Sequence, residues 1–455
     1  MVATTLGGVE IDAQVAELMD RDRVPGVVAG ILDGDRQSVA AWGTANRETG
    51  LPMRPDSVLQ IGSITKVFTA TLIMGLVAEG RLSIDSPIAE ALPGFRLADE
   101  TATRTVTLRH CLSHTTGFEG DRFDDHGRGD DSLARCVAGY DTLAQQLPPG
   151  TAFSYCNTGF NVAGRVVEAV LGVPFEQAMR ERVFVPLGLA GSTDRASFFT
   201  DEAILLPAAA GHLSPPEGEV TVARPYPLAR NMNAAGGIIT GVAELLLFAA
   251  AHLGQIDVPA PFPSLATLET MREAQVEIDE TTSRGLGWAL ERRGDEPVFG
   301  HDGATNGFKA SLRILPDRRF AIALLTNGEN GVFTNRDIER EILRQRFGIT
   351  VTDPEPIAMP ARLAARVPGR YHAMLSEVTI AEDDGLTATT VSINPFNGER
   401  GEPVSMPVEA ISEDELMVPE GVRKGTRFQL LPEADGRIDM IRAGGRIAVR
   451  VPDGA

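Results

Sequence analysis

Apolar residues recur at helical spacing over residues 11–22, which predicts a charged amphipathic helix near the start of the chain. Apolar runs at 26–33 and 38–43 then read as strands. From Ser63 to about Glu79 the pattern is an apolar run of helical length, which predicts a central helix. Residues 84–250 carry mainly helical periodicity, clearest at 158–171 and 174–184, and read as an all-helical insertion. Strand patterns return near 285–292, 308–315 and 319–326. Within them 310–314 alternates and 320–325 is continuously apolar, so the two read as an edge strand and an inner strand of an antiparallel sheet. A helix over 336–347 closes this part. Residues 350–368 are rich in Pro and Ala without a period and read as a linker. Beyond them short apolar runs alternate with Gly, Asp and Pro turns, which predicts a small antiparallel barrel of up to eight strands. The expected organisation is a domain at 1–349, a linker at 350–368 and an all-β domain at 369–455.

Composition narrows the function. The chain has 455 residues, 43% of them hydrophobic, and a net charge of −20. Such acidity argues against nucleic acid and anionic membrane surfaces as partners. Its three cysteines, Cys111, Cys136 and Cys156, make no disulfide framework and fit a reducing compartment. The first ten residues show no basic stretch followed by an apolar one. The apolar run 243–253 is too short to span a bilayer and carries Glu244. A cytoplasmic location is expected.

Lysine is scarce: Lys66, Lys309 and Lys424 are the only three. Lys66 lies three residues after Ser63, one helical turn away, so both side chains face the same way. Burial can make a lysine a neutral base, which arginine cannot become. Ser63 is therefore a candidate nucleophile and Lys66 its proton acceptor. Two more polar groups stand in turn-like or strand-like contexts: Tyr155 with Asn157 two residues on, and His301-Asp302-Gly303 ahead of the predicted sheet strands. Alone, Tyr155 reads equally as a core aromatic and His301 as a turn histidine. His110 and His114 share one helical face, but no acidic third ligand follows, so neither a metal nor any other cofactor is expected.

Taken together, S-x-x-K (Ser63 to Lys66), Y-x-N (Tyr155 to Asn157) and H-x-G (His301 to Gly303, in place of K-T-G) resemble the motif set of the serine β-lactamase and penicillin-binding-protein superfamily, in its class-C-like branch. Residues 106–118 and 233–240 also resemble connecting segments of that family, and the resemblance covers about 10–348. It implies an α/β fold like class C β-lactamases: an antiparallel sheet with helices plus an all-helical subdomain, here followed by a lipocalin-like barrel. It implies an acyl-enzyme on Ser63, with Lys66 as base and the backbone N–H groups of Ser63 and Ala304 as oxyanion hole. Tyr155 would relay the proton and Asn157 would orient Lys66 and the substrate, while His301 and Gly303 lie on the substrate strand.

In layout the chain resembles the stand-alone penicillin-binding-protein-type thioesterases of nonribosomal peptide pathways. These take a peptidyl thioester from a phosphopantetheine carrier protein and close it head to tail. The helix arginines Arg336, Arg340, Arg344 and Arg346 would offer such a carrier a basic face. In the barrel, Arg446 and Arg450 fall on one strand face opposite Ile447 and Val449. The expectation is that the apolar face fills the barrel, leaving the arginines outside and Arg446 free to grip a substrate carbonyl or carboxylate. The alternatives are a cytosolic esterase or D-amino-acid-specific peptidase of the same superfamily, and a sensor module that is acylated once.

Overall fold

The structure is a computed structural model and describes residues 5–190, 195–215, 218–382, 385–394, 398–421, 423–432 and 437–452. The chain forms two compact units. One comprises Met1–Ser113, Asp125–Thr142 and Gly159–Val351. The other comprises His114–Asp124, Leu143–Thr158 and Thr352–Ala455.

The first unit is built on an antiparallel sheet. Its principal elements are helix α1 (Asp12–Asp22), strands β1 (Gly26–Asp33) and β2 (Arg36–Asn46), and helices α2 (Thr65–Ala78) and α3 (Val242–His252). Strands β3 (Ala289–Arg293), β4 (Glu296–Thr305), β5 (Phe308–Leu315) and β6 (Phe320–Thr326) follow, and helix α4 (Gly331–Phe347) closes the unit. Among the described residues the sheet has nine strands: Val276–Glu277, Thr282–Arg284, β3, β4, β5, β6, β1, β2 and Leu51–Pro52. Helices α1 and α4 cover one face with Val15, Leu18, Ile338 and Ile342, and α3 covers the other. Strands buried on both faces lose the alternation of a half-exposed strand, and every residue of β6 is buried.

Two expectations change here. β6 is an inner strand as read, but β5 is not an edge: it lies inside the sheet and pairs β4 through seven registered positions. Polar positions within β5 mislead because Arg313 is buried in an ion network with Asp302 at 2.8 Å and Glu339 at 3.3 Å. The region 84–250, helical in the main, also holds paired two-residue strands. Ala196–Ser197 and Leu59–Gln60 both pair with Ile239–Thr240, and His212–Leu213 pairs with Thr221–Val222. Strands this short leave no periodic trace, and the Ile239–Thr240 partners are far apart in sequence.

Helix α2 is buried from Thr65 through Leu76, so it is apolar all round, as a central helix must be. Phe68 stacks on Phe248 of α3, ring centres 3.8 Å apart.

In the second unit, eight strands close a barrel among the described residues: β7 (Gly369–Ala373), β8 (Ser376–Glu382), β9 (Leu386–Ser392), β10 (Val404–Ala410), β11 (Glu415–Met417), β12 (Arg427–Leu431), β13 (Met440–Ala443) and β14 (Arg446–Arg450). Each pairs antiparallel with the next, and β14 returns to β7. The interior is filled by apolar side chains such as Val378, Met406, Val408, Phe428 and Ile441. The stretch 350–368 carries a short helix, Ala361–Ala364, and Ile357 N–H donates to the Ala410 carbonyl at 2.7 Å.

The expected facing of β14 is reversed. Ala448, on the arginine side, belongs to the barrel core, whereas Val449 is 39% exposed. Arg450 turns inward at the barrel end, its guanidinium 4.7 Å from the Tyr371 ring centre. It donates to the carbonyls of Arg366, Pro368 and Ile438 at 2.7–2.8 Å. A long apolar stem with a charged head suits a rim where an apolar interior meets backbone acceptors.

Candidate active site

Ser63 sits in a single 3-10 turn, Gly62–Ile64, immediately before α2. The turn followed by helix keeps the one-turn spacing: Lys66 Nζ lies 3.1 Å from Ser63 Oγ. Lys66 is fully buried. Its Nζ donates to the Ala235 carbonyl at 2.6 Å and lies 5.4 Å from the centre of the Phe160 ring.

The segment presenting that carbonyl is tied to α2 at two further points. Thr65 Oγ1 accepts from Ile238 N–H at 3.1 Å, and Thr69 Oγ1 donates to the Ala234 carbonyl at 2.8 Å. Asn233 is fixed from below by a 2.7 Å bond to buried Glu176, which also pairs with Arg230. The 233–240 segment thus has a physical task, the placement of Lys66. The sequence marks this segment without marking Ala235, because a backbone carbonyl leaves no trace in residue type.

The serine turn is packed tightly on β4. Gly62 adopts φ +51°, and a Cβ there would stand 2.6 Å from Ala304 N. A Cβ on Gly303 would stand 1.9 Å from the Ile61 carbonyl oxygen. Both positions therefore require glycine. The backbone beside Ser63 and the backbone at Ala304 run side by side, which suits two N–H donors aimed at one oxygen.

His301 is buried on β4, its Nδ1 2.6 Å from the Asp302 carbonyl oxygen. Burial pushes its pKa down to about 3, and Lys66 lowers it further whenever that lysine is protonated, so the imidazole is neutral at ordinary pH.

The remaining motif residues lie in the second unit. Tyr155 N–H donates to the Gly445 carbonyl at 2.8 Å. Its ring stacks on His114 at 4.2 Å, and the Arg446 guanidinium lies 5.0 Å from its centre. Asn157 opens the helix Asn157–Leu171, and its Nδ2 donates to Asp121 Oδ1 at 2.6 Å. Arg446 also binds the Asp121 carboxylate, through Nε and, at 3.1 Å, Nη2. Arg446 is thus engaged by a carboxylate of its own unit, which sequence reading missed because Asp121 lies 325 residues away in an acidic loop without a motif. His114, weighed above only beside His110, instead supports Tyr155, and its Nδ1 accepts from Cys156 N–H at 2.9 Å.

The arginines of α4 do not stand as an unbalanced basic face. Arg336 pairs with Asp337 at 2.9 Å, Arg344 with Glu341 at 2.5 Å, and Arg346 with Asp33. An acidic chain supplies these three with a neighbouring carboxylate. Among the described residues no helix is long and apolar enough to cross a membrane.

Buried titrating groups set the pH response of stability. His301 and His252 both have folded pKa values near 3 through burial, against 6.5 for an ordinary histidine. Below pH 6.5 the unfolded chain takes protons that the folded chain refuses, so stability falls with pH. Glu168 opposes this: burial raises it to about 7 from 4.5, so it adds stability as pH drops from 7 to 4.5. His110 and His212 are also lowered by burial, so the histidines outweigh Glu168 and leave a net loss on the order of 1 kcal/mol or more per pH unit between 6.5 and 4.5. Below 4.5 the loss steepens as Glu168 stops contributing. Urea unfolding at pH 6.5, 5.5 and 4.5 checks this, and stability rising across that interval would contradict it.

The comparisons with known proteins decide the family. The family model described as Beta-lactamase matches residues 11–346. The chain belongs to the beta-lactamase family. It is a serine acyl-transfer enzyme of the β-lactamase and penicillin-binding-protein superfamily. A relative in this superfamily, penicillin-binding protein 4 of Amycolatopsis lactamdurans, is 39% identical over 359 residues, 76% of this chain and 91% of that one. A D-aminopeptidase of Cereibacter sphaeroides is 26% identical over 336 residues, 70% of this chain and 60% of its own. Among solved structures, SurE matches with a TM-score of 0.72 at 27% identity, covering 97% of this chain and 98% of its own. SurE has also been solved with D-Leu, with the same TM-score of 0.72 at 26% identity. For this beta-lactamase family member, the SurE match extends well beyond the catalytic fold alone.

Proposed function

We propose that this enzyme is a penicillin-binding-protein-type thioesterase that releases a nonribosomal peptidyl thioester from a phosphopantetheine carrier protein and closes it into a head-to-tail lactam. The observation that carries this reading is the match to SurE over 97% of the chain, the barrel included, by a protein also solved with D-Leu. A D-configured residue at the acyl position is the expected specificity. The layout resemblance noted from the sequence points the same way.

In this reading Lys66 takes the Ser63 proton across the 3.1 Å contact as Oγ attacks the thioester carbonyl. The carbonyl oxygen gains its negative charge between the N–H groups of Ser63 and Ala304. Tyr155, from its place in the Y-x-N motif, protonates the departing thiolate. The thiol leaves and the acyl group stays on Ser63. Tyr155 then takes a proton from the peptide's own amine as it attacks the ester, and Lys66 returns its proton to the departing Ser63 Oγ. Asn157 orients Lys66 and the substrate, and neutral His301 lines the substrate strand without moving a proton.

A specific observation favours a second reading: the D-aminopeptidase relative, which joins D-specificity to hydrolysis. The two part at the second nucleophile. A peptidyl thioester ending in a D-residue, followed by mass spectrometry, is expected to give mainly ring product. The amine is held at high effective concentration, so it outruns water. Linear acid as the sole product across a varied panel would establish the hydrolytic reading instead.

A further inference from the structure

The last hairpin of the barrel is bound to the Tyr155–Asn157 motif by four separate interactions. Tyr155 N–H donates to the Gly445 carbonyl at 2.8 Å. Ser154 Oγ accepts from Ile447 N–H at 3.2 Å. Arg442 Nε donates to the Phe153 carbonyl at 3.1 Å. The fourth runs through a charge: Arg446 grips Asp121 with two nitrogens, and Asp121 holds Asn157 at 2.6 Å through the oxygen that also receives Arg446 Nη2. Three backbone or hydroxyl contacts would suffice to dock a hairpin. A buried ion pair shared with a motif residue does more, because it fixes direction as well as position.

Asp121 is 5% exposed and Asn157 7%. A carboxylate so enclosed needs a matched cation, and a planar fork meeting both oxygens is the geometry that holds it still. With Asp121 immobile, the Asn157 amide has one orientation. The same guanidinium lies 5.0 Å from the Tyr155 ring centre, within cation–π range, while His114 stacks on that ring at 4.2 Å. Tyr155 is thus fixed through its backbone by Gly445 and through its ring by His114 and Arg446.

We propose that Arg446 and Asp121 are a positioning pair that sets the Tyr155 phenol and the Asn157 amide for acyl transfer, making the barrel part of the catalytic arrangement. This rests on the reading that Tyr155 moves protons. It assigns Arg446 a partner within its own unit in place of the substrate carboxylate expected from the sequence. It also predicts that a substrate with no peptide portion feels the loss.

The test uses the full chain with a small activated ester and a peptidyl thioester, and four variants: Arg446→Gln, Asp121→Asn, their double, and Tyr155→Phe. Asp121→Asn keeps an oxygen for Asn157 while removing the charge that holds Arg446. The expected result is a kcat loss of about 10- to 100-fold on the small ester for either single variant, from displaced groups. KM should stay within about twofold, and the double should lose no more than the worse single, as for residues acting as one unit. Melting curves and near-ultraviolet circular dichroism identify any variant that misfolds, and the other single variant then carries the test.

Loss on the peptidyl thioester alone, with the small ester unaffected, would overturn the proposal and make Arg446 a substrate-binding residue. Full activity of Arg446→Gln and Asp121→Asn beside an inactive Tyr155→Phe would sink this proposal only. Full activity of Tyr155→Phe would remove the parent reading and this one with it.

Discussion

Ser63→Ala is expected to abolish covalent labelling by a fluorophosphonate and to lower thioester turnover by on the order of 10⁴- to 10⁶-fold. The hydroxyl is the only group on the 3-10 turn that can form an ester, and buried Lys66 lies 3.1 Å from it. The substitution removes one oxygen from a half-buried position, so the fold should persist. Intact-protein mass spectrometry reads the result directly. The native chain should gain the mass of the acyl or phosphonyl group, and the variant should gain nothing. An adduct on Ser63→Ala would place the nucleophile elsewhere and undo the assignment.

The second large effect is a failure of additivity. Lys66→Ala and Tyr155→Phe should each cost roughly 10³-fold or more in kcat, and the double variant little more than the worse single. A proton relay stops when either member is missing, so removing the second finds nothing left to lose. Single-turnover acylation rates, measured with one thioester on all four proteins, close the cycle. If the losses multiply, the two residues act in separate steps. If Tyr155→Phe retains most of its activity, the proton travels by another route. Neutral His301, held near pKa 3 by burial, would then be the next group to replace.

What the sequence disclosed followed the range of the interactions concerned. Ser63 and Lys66 were legible because their relation is local: three residues in one turn-and-helix segment. The eight-stranded barrel was legible because turn residues punctuate each strand. Arg446 drew attention as a cation on a predicted strand, but its partner Asp121 is remote in sequence, and no pattern links them. The facing of β14 was misread for a related reason. Alternation places 446, 448 and 450 together, and the charged ends hid that small Ala448 is the residue that enters the core. The place of β5 inside the sheet was hidden by Arg313, a charged residue whose burial depends on Asp302 and Glu339 from other elements, whereas the continuous apolar run of β6 already marked it as inner. Ala235 shows the limit most plainly, since it serves Lys66 through an atom every residue possesses.

The bond from Tyr155 to Gly445 joins points 290 residues apart, and β14 closes the barrel by pairing with β7. Contacts so distant in sequence form only after the later strand has left the ribosome. Strands β13 and β14 are translated long after the Tyr155 segment. The Ser63 turn and Lys66 need only the 233–240 segment and β4, which are made earlier, whereas the tyrosine segment is held only once β14 has been made. Translation order thus acts as a safety catch on the proposed relay: a product stalled before β14 would carry Ser63 without the contacts that hold the Tyr155 segment.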